Sequence, residues 1–315
     1  MNKIRLGVSS CLLGEKVRYD GGHKLDPYLT EILGRYVEWV PVCPEVEYGL
    51  PVPREAMRLT GDPDAPRLLT ARTGVDHTAG MLQWAGIRLQ ALENEELCGF
   101  IFKSRSPSSG MKGVKVYPPS KIPTHRGVGI FARAFMERFR LMPTEEDGRL
   151  HDPTLRENFI ERIFVFKRWK EFQKSGGSTR ALIDFHAHHK LLILSHSPKH
   201  YTALGRLVAH TVDYRQEELH AAYLQTLMEG LKLIATPKKN ANVMQHLMGY
   251  FKRRLSADEK QELLEVIEQY RNGLIPLIVP IVLLGHYVRK YRELYLARQH
   301  YLNPHPAELM LRNHT

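Results

Sequence analysis

The chain has 315 residues, 43% of them hydrophobic and 25% charged, which is the balance of a soluble globular protein with room for two domains. Three cysteines in a chain this long argue against a disulfide framework and leave metal binding, catalysis or plain core. The longest apolar run, Leu274 to Leu284, contains Pro276 and Pro280 and is too short to cross a bilayer, so no membrane partner is expected. The net charge of +11 divides into +3 over residues 1–150 and +8 beyond, a surplus compatible with a polyanion but not specific for one.

Residues 1–142 alternate strand-like and helix-like stretches. No charged-then-apolar leader precedes the strand that begins by Ile4, and the expected location is cytoplasmic. That first strand ends at Cys11. A helix-like segment follows from Pro27 to Tyr36, with Asp26 as N-cap, and a second strand near Val37 to Val42 ends at Cys43. Pro41, Pro44, Pro51 and Pro53 stiffen the loop beyond it, which puts a carboxylate, Glu45, two residues after the thiol. Gly61 to Pro66 reads as loop, Leu68 to Thr73 as a short strand, and Asp76 to Leu92 as a helix from the spacing of Met81, Trp84, Leu89 and Leu92. A third buried-type strand, Leu97 to Lys103, runs into Ser104-Arg105-Ser106-Pro107-Ser108-Ser109-Gly110. A strand over Val114 to Tyr117 and a helix over Gly129 to Phe139 close the domain.

This alternation predicts an α/β domain with a mostly parallel sheet. Ligands of open parallel sheets bind at the carboxyl ends of the strands. Cys11, Cys43 and the Ser104–Gly110 loop all lie just past such ends. Cys98 opens its strand and is expected on the order of 15–20 Å away at about 3.3 Å per residue, as a core residue. A hydroxyl-rich loop facing two thiols suits an anion or a polar heterocycle.

Three motifs carry a resemblance. Val8-Ser9-Ser10-Cys11-Leu12-Leu13-Gly14 with Arg18-Tyr19-Asp20-Gly21, then Pro41-Val42-Cys43-Pro44-Glu45 with Gly49-Leu50-Pro51-Val52-Pro53-Arg54, then Lys103-Ser104-Arg105-Ser106-Pro107-Ser108, resemble the thiouracil desulfidase family. Membership implies a [4Fe-4S] cluster held by three cysteine thiolates, with the fourth iron open to the sulfur of a thiolated pyrimidine that water then replaces without net redox. The resemblance makes Cys11 and Cys43 cluster ligands, Glu45 and Ser104 catalytic, and Asp20, Ser106 and Ser108 substrate-binding. The family pattern ends Ser-Pro-Ser-Cys-Gly, whereas here Ser109 stands at the third thiolate position. Three outcomes stay open: Ser109 ligates iron, Cys98 substitutes, or the cluster is weakened or lost.

Residues 143–153, with Pro143, Glu145-Glu146-Asp147 and Gly148, read as a linker, and residues 154–315 as an all-α bundle domain. Helices are expected over Thr154 to Gln173, from Ser178 or Thr179 onward, and over Tyr201 to Thr211, Gln216 to Ala235 and Lys239 to Leu255. Two more are expected over Asp258 to Tyr270, behind a Ser256–Glu259 capping box, and over Ile275 to Tyr301. Phe185-His186, His189-Lys190, His196-Ser197-Pro198, Gln245-His246 and Gly249-Tyr250-Phe251-Lys252 resemble a helical domain of unknown function often fused to the desulfidase-like one. His186, His188, His189, His196 and His200 have spacings that admit a metal. Lys238-Lys239 and Lys252-Arg253-Arg254 with Tyr250 and Phe251 admit phosphates and stacked bases. Two functions follow: a desulfidase acting on a thiolated pyrimidine or thio-modified nucleic acid, with a homodimer as one admissible assembly, or a non-catalytic protein whose basic helical half binds nucleic acid or a partner.

Overall fold

The computed structural model describes residues 3–118 and 122–314, in two compact units, Met1–Asp152 and Pro153–Thr315. The first unit has eight strands among the described residues: β1 (Ile4–Ser9), β2 (Val37–Val42), β3 (Met57–Asp62), β4 (Ala65–Thr70), β5 (Phe100–Phe102), β6 (Val114–Tyr117), β7 (Thr124–Gly127) and β8 (Thr144–Glu146). Its helices are α1 (Pro44–Glu47), α2 (Thr78–Glu93) and α3 (Ile130–Arg138). One sheet, in the order β2-β1-β5-β8, is parallel at every pairing. A strand buried on both faces reads as a continuous apolar run rather than an alternating one, and β1 is buried at all positions but Arg5. Phe100 and Phe102 of β5 meet Phe131 and Phe135 of α3, with ring centroids 4.7–6.4 Å apart. Gly7 permits this packing, because a Cβ there would lie 2.1 Å from the Phe100 ring.

The second sheet, β4-β3-β6-β7, was not expected. The polar stretch Gly61 to Pro66, read as loop, is the turn of the β3–β4 hairpin, with only Pro63 and Asp64 outside the strands. Its strand pairs with β6 in parallel, and β6 pairs with β7 antiparallel. The Pro27–Tyr36 segment is helical but not an α-helix: a π turn over Tyr28–Ile32 leads into a 3-10 turn over Leu33–Arg35, and Asp26 accepts the Tyr28 N–H at 3.0 Å. The stretch read as a linker contributes β8, whose Thr144, Glu145 and Glu146 pair with Phe100, Ile101 and Phe102, so the first unit extends to Asp152.

The second unit is helical: α4 (Pro153–Lys174), α5 (Thr179–His196), α6 (Pro198–Ala209), α7 (Gln216–Leu231), α8 (Pro237–Gly249), α9 (Ala257–Arg271), α10 (Ile278–Lys290) and α11 (Leu294–Ala297). Ser178 caps α5 by accepting the Ala181 N–H, and both bonds of the Ser256–Glu259 capping box form. The long helix expected over Ile275 to Tyr301 is broken, because Arg292 takes a left-handed conformation (φ 50°) between α10 and α11. Trp169 of α4 anchors the core, stacked on Tyr223 at 5.4 Å. No helix among the described residues is long and apolar enough to cross a membrane.

Candidate functional site

The carboxyl ends of β1, β2 and β5 border a cavity of about 470 Å³. Cys11, in the 3-10 turn that follows β1, and Cys43, immediately after β2, both line it, together with Glu45, Arg54, Lys103 and Ser104 to Ser109. Of the residues singled out from sequence, the structure brings Cys11, Cys43, Glu45, Ser104, Ser106, Ser108 and Ser109 to this one cavity. Asp20 is not among its lining residues: its carboxylate accepts the Gly22 N–H at 3.0 Å and faces Arg18 Nε at 3.5 Å on the exposed surface. Cys98 is buried elsewhere. Its N–H donates to the carbonyl of Arg5, at the amino end of β1, and it does not line the cavity.

Burial pushes both cavity thiols up. Cys11 rises to about 11 against the opposing pull of Lys103 and Arg18, and Cys43 rises from burial and from Glu45 against the Val46 N–H and Arg54. Both are therefore thiols at neutral pH until a soft metal displaces the protons.

Glu45 sits in the first turn of α1, where Pro44 occupies the first helical position and the Cys43 N–H is taken by the Glu47 carboxylate at 2.9 Å. Its Oε1 accepts the Ser108 hydroxyl at 2.8 Å, and its Oε2 pairs with Arg54. Since Ser108 spends its proton on Glu45, the 3.0 Å contact between Ser106 and Ser108 has Ser106 as donor. The chain of hydroxyls thus runs from Ser106 through Ser108 to Glu45. Arg54, with 4% of its side chain exposed, also donates to the carbonyls of Val17 at 2.9 Å and Pro51 at 3.3 Å.

The hydroxyl-rich loop is docked on a helix rather than left as a free turn. The carbonyls of Pro107 and Ser108 accept the N–H groups of Ile130, Phe131 and Ala132, the donors that the start of α3 leaves without helical partners. Gly129 makes this approach possible, because a Cβ there would stand 2.6 Å from the Ser108 carbonyl group. Ser108 and Ser109 are buried as a result.

Sequence reasoning missed the second half of the site. Lys103 Nζ donates to Asp147 at 2.7 Å and to Ser104 Oγ at 3.0 Å, and Asp147 also accepts the Ser104 N–H at 2.7 Å. Lys103 and Arg54 lay inside the quoted motifs, so their types were visible but not their partners. Asp147 lay in the presumed linker. A wider depression of about 1240 Å³ adjoins the cavity and shares Lys103, Ser104 and Arg105 with it. Among the described residues its lining carries six Lys or Arg, with Arg58, Lys112, Lys115 and Arg149 beyond the shared ones, against Glu146 alone.

The 2-thiouracil desulfurase family matches residues 6–147, and a family of unknown function, DUF1722, matches residues 190–306. The uncharacterized protein YbgA of Escherichia coli (strain K12) is 31% identical over 153 residues, 48% of this chain and 90% of that protein. The chain belongs to these families: 2-thiouracil desulfurase in its first unit, DUF1722 in its second. The solved structure of a [4Fe-4S]-dependent thiouracil desulfidase, TudS (DUF523Vcz), is 29% identical across 48% of this chain and 95% of that one, with a TM-score of 0.39.

The DUF1722 unit offers less chemistry than its histidines suggest. His189 stacks on Phe185 at 3.9 Å, His186 bonds the Tyr223 hydroxyl at 3.1 Å, and His200 bonds Ser197 at 2.7 Å, so these rings have separate partners. Burial pushes His186 down to about 4 and holds His189 well below its ordinary value, which keeps both neutral. His196 lies between the Leu233 carbonyl at 2.6 Å and Glu161 at 2.9 Å. Phe251, expected among base-stacking residues, is wholly buried, while Tyr250 is exposed and stacks on Tyr295 at 5.5 Å. Lys239, expected at phosphates, donates to the carbonyls of His196 and Ile234.

Proposed function

We propose that the first unit is an iron–sulfur-dependent, non-redox desulfidase that removes sulfur from a thiolated pyrimidine carried on a phosphate-bearing substrate. The observation that carries the reading is the convergence of Cys11, Cys43 and Glu45 on one cavity at the carboxyl edge of a parallel sheet, inside the segment matched by the 2-thiouracil desulfurase family. The donor set suits the group at two positions: Cys11 and Cys43 are soft ligands, and Arg18, Lys103 and Arg54 surround them with positive charge. The third donor is the Ser109 hydroxyl, harder than a thiolate and a weaker ligand for such a cluster. When bound, a [4Fe-4S] cluster supplies an open iron, a Lewis acid with affinity for sulfur.

The chain's own residues supply the rest. Glu45, paired with Arg54, takes a proton from water and returns it to the departing sulfur, and the Ser106–Ser108 hydroxyls orient it from one side. Buried Ser108 and Arg54 fix the carboxylate, so little reorganisation accompanies proton transfer. The cationic depression beside the cavity supports a substrate with phosphates, because six Lys or Arg against one carboxylate attract a polyanion.

Iron and sulfide content after anaerobic reconstitution, followed by turnover of 2-thiouracil and of an oligonucleotide bearing a thiolated pyrimidine, tests the reading. Iron with turnover of the oligonucleotide in preference to the base supports it. No iron in either this chain or Ser109→Cys removes it.

A further inference from the structure

The Phe102–Glu146 pair closes the register between β5 and β8, so the next residue of each strand, Lys103 and Asp147, leaves the sheet side by side at its carboxyl edge. Their side chains meet at 2.7 Å with 17% and 13% exposed, and the Lys103 N–H is tied to Ser9 Oγ at 2.9 Å, at the end of β1. Lys103 lines both the thiol-bearing cavity and the cationic depression, so it stands at their junction. An ammonium has three protons and no acceptor. Two go to Asp147 and Ser104, which leaves one donor on the wall shared by the thiol-bearing cavity and the depression.

We propose that Lys103 is a further catalytic residue of this site, a fixed hydrogen-bond donor to the pyrimidine, and that Asp147 is its positioning residue. The inference rests on the desulfidase reading. No proton is transferred in this role: Lys103 donates a hydrogen bond and so stabilises negative charge on the pyrimidine's heteroatom as the sulfur leaves. A donor already held in place acts without the reorganisation that water would require. Asp147 acts only through Lys103 and Ser104, whose N–H and ammonium it collects on its two oxygens.

The test uses the reconstituted full chain, with Lys103→Met, Asp147→Asn and the double variant. Two quantities are read: turnover of 2-thiouracil, and equilibrium binding of uracil, which involves no chemical step. Lys103→Met is expected to lower turnover about a hundredfold, as loss of one preorganised donor does, and to weaken uracil binding. Asp147→Asn is expected to lower turnover with a smaller effect on uracil binding. The double variant should then be no worse than Lys103→Met, because a residue acting through another has nothing left to position. The double variant also serves if Lys103→Met, with a buried carboxylate unpaired, fails to fold. Lys103→Met indistinguishable from wild type, or losses that multiply in the double variant, overturns the inference while the desulfidase reading stands. A wild-type chain that turns over neither 2-thiouracil nor an oligonucleotide bearing a thiolated pyrimidine overturns the reading itself.

Discussion

Arg54 pairs with Glu45 and, through the same guanidinium, with the carbonyls of Val17 and Pro51, so one buried cation joins two loop segments to the carboxylate that shares a cavity with both thiols. Removing one partner of a buried pair leaves the other charge uncompensated, which costs about 3–5 kcal/mol. Arg54→Met is therefore expected to lower the melting temperature and abolish turnover. Arg54→Met combined with Glu45→Gln should recover much of the stability but none of the activity. Thermal denaturation of the two variants checks this, and a double variant no more stable than Arg54→Met would contradict the pairing.

Glu45→Gln alone keeps the size of the side chain and one oxygen, which can face Ser108 or Arg54 but not both, and removes the proton acceptor. Loss of a general acid–base group costs about 10²–10⁴ in rate. Turnover should fall in that range while iron content stays at the wild-type level. A fall in iron content of the same size would make Glu45 a structural residue instead.

Ser109→Cys replaces a hard donor by a soft one in a buried position on a loop docked to α3. Iron and sulfide after anaerobic reconstitution should rise relative to the natural chain, and the cluster should survive longer in air. Equal content in the two chains would show that the hydroxyl suffices.

If the substrate carries phosphates, its binding in the cationic depression is expected to depend on salt. For a single-stranded substrate the slope of log affinity against log salt is about −0.7 per phosphate contacted. Replacing Lys112 and Lys115 by Ala should reduce that slope and raise KM for an oligonucleotide, with kcat for 2-thiouracil unchanged. Equal effects on both substrates would place the phosphate-binding surface elsewhere.

In the helical unit, Glu157 and Glu161 share Arg312, which bonds them at 3.1 and 2.9 Å. Burial raises both carboxyls. Glu161 is nevertheless held down to about 2 by His196 and Arg312, whereas Glu157, beside the Glu161 charge, is pushed up to about 8. Between the ordinary carboxylate range and about 8, the folded state keeps a proton on Glu157 that the unfolded chain has lost, so stability falls as pH rises through that window. Glu157→Gln removes this dependence. Its melting temperature relative to wild type should rise between pH 5 and pH 8.5, and a constant difference would assign the proton to another group.

Much of the site was legible in the chain. Short apolar runs ending in Cys11 and Cys43, and a third running into Ser104, identify parallel strands whose carboxyl ends must lie on one edge, because a parallel strand cannot deliver its end elsewhere. Cys98 could be set apart by the same reasoning. The helices of the second unit followed from apolar spacing and from Ser178 and Ser256 as caps, which are local signals.

What the chain by itself determined is which residue types stand past each strand end: thiol, carboxylate and hydroxyl, in that order along the sequence. The tertiary structure alone decided which of them meet. β8 has no apolar alternation, since Thr144, Glu145 and Glu146 form a strand only by pairing with β5, and Asp147 reaches Lys103 only through that register. Arg54 finds Glu45, and Arg312 finds Glu161 across 151 residues, because a buried charge is stable only beside its complement, and no local pattern records where that complement lies. The burial of Phe251 against Tyr287 and Tyr291 is of the same kind, settled by packing partners distant in sequence.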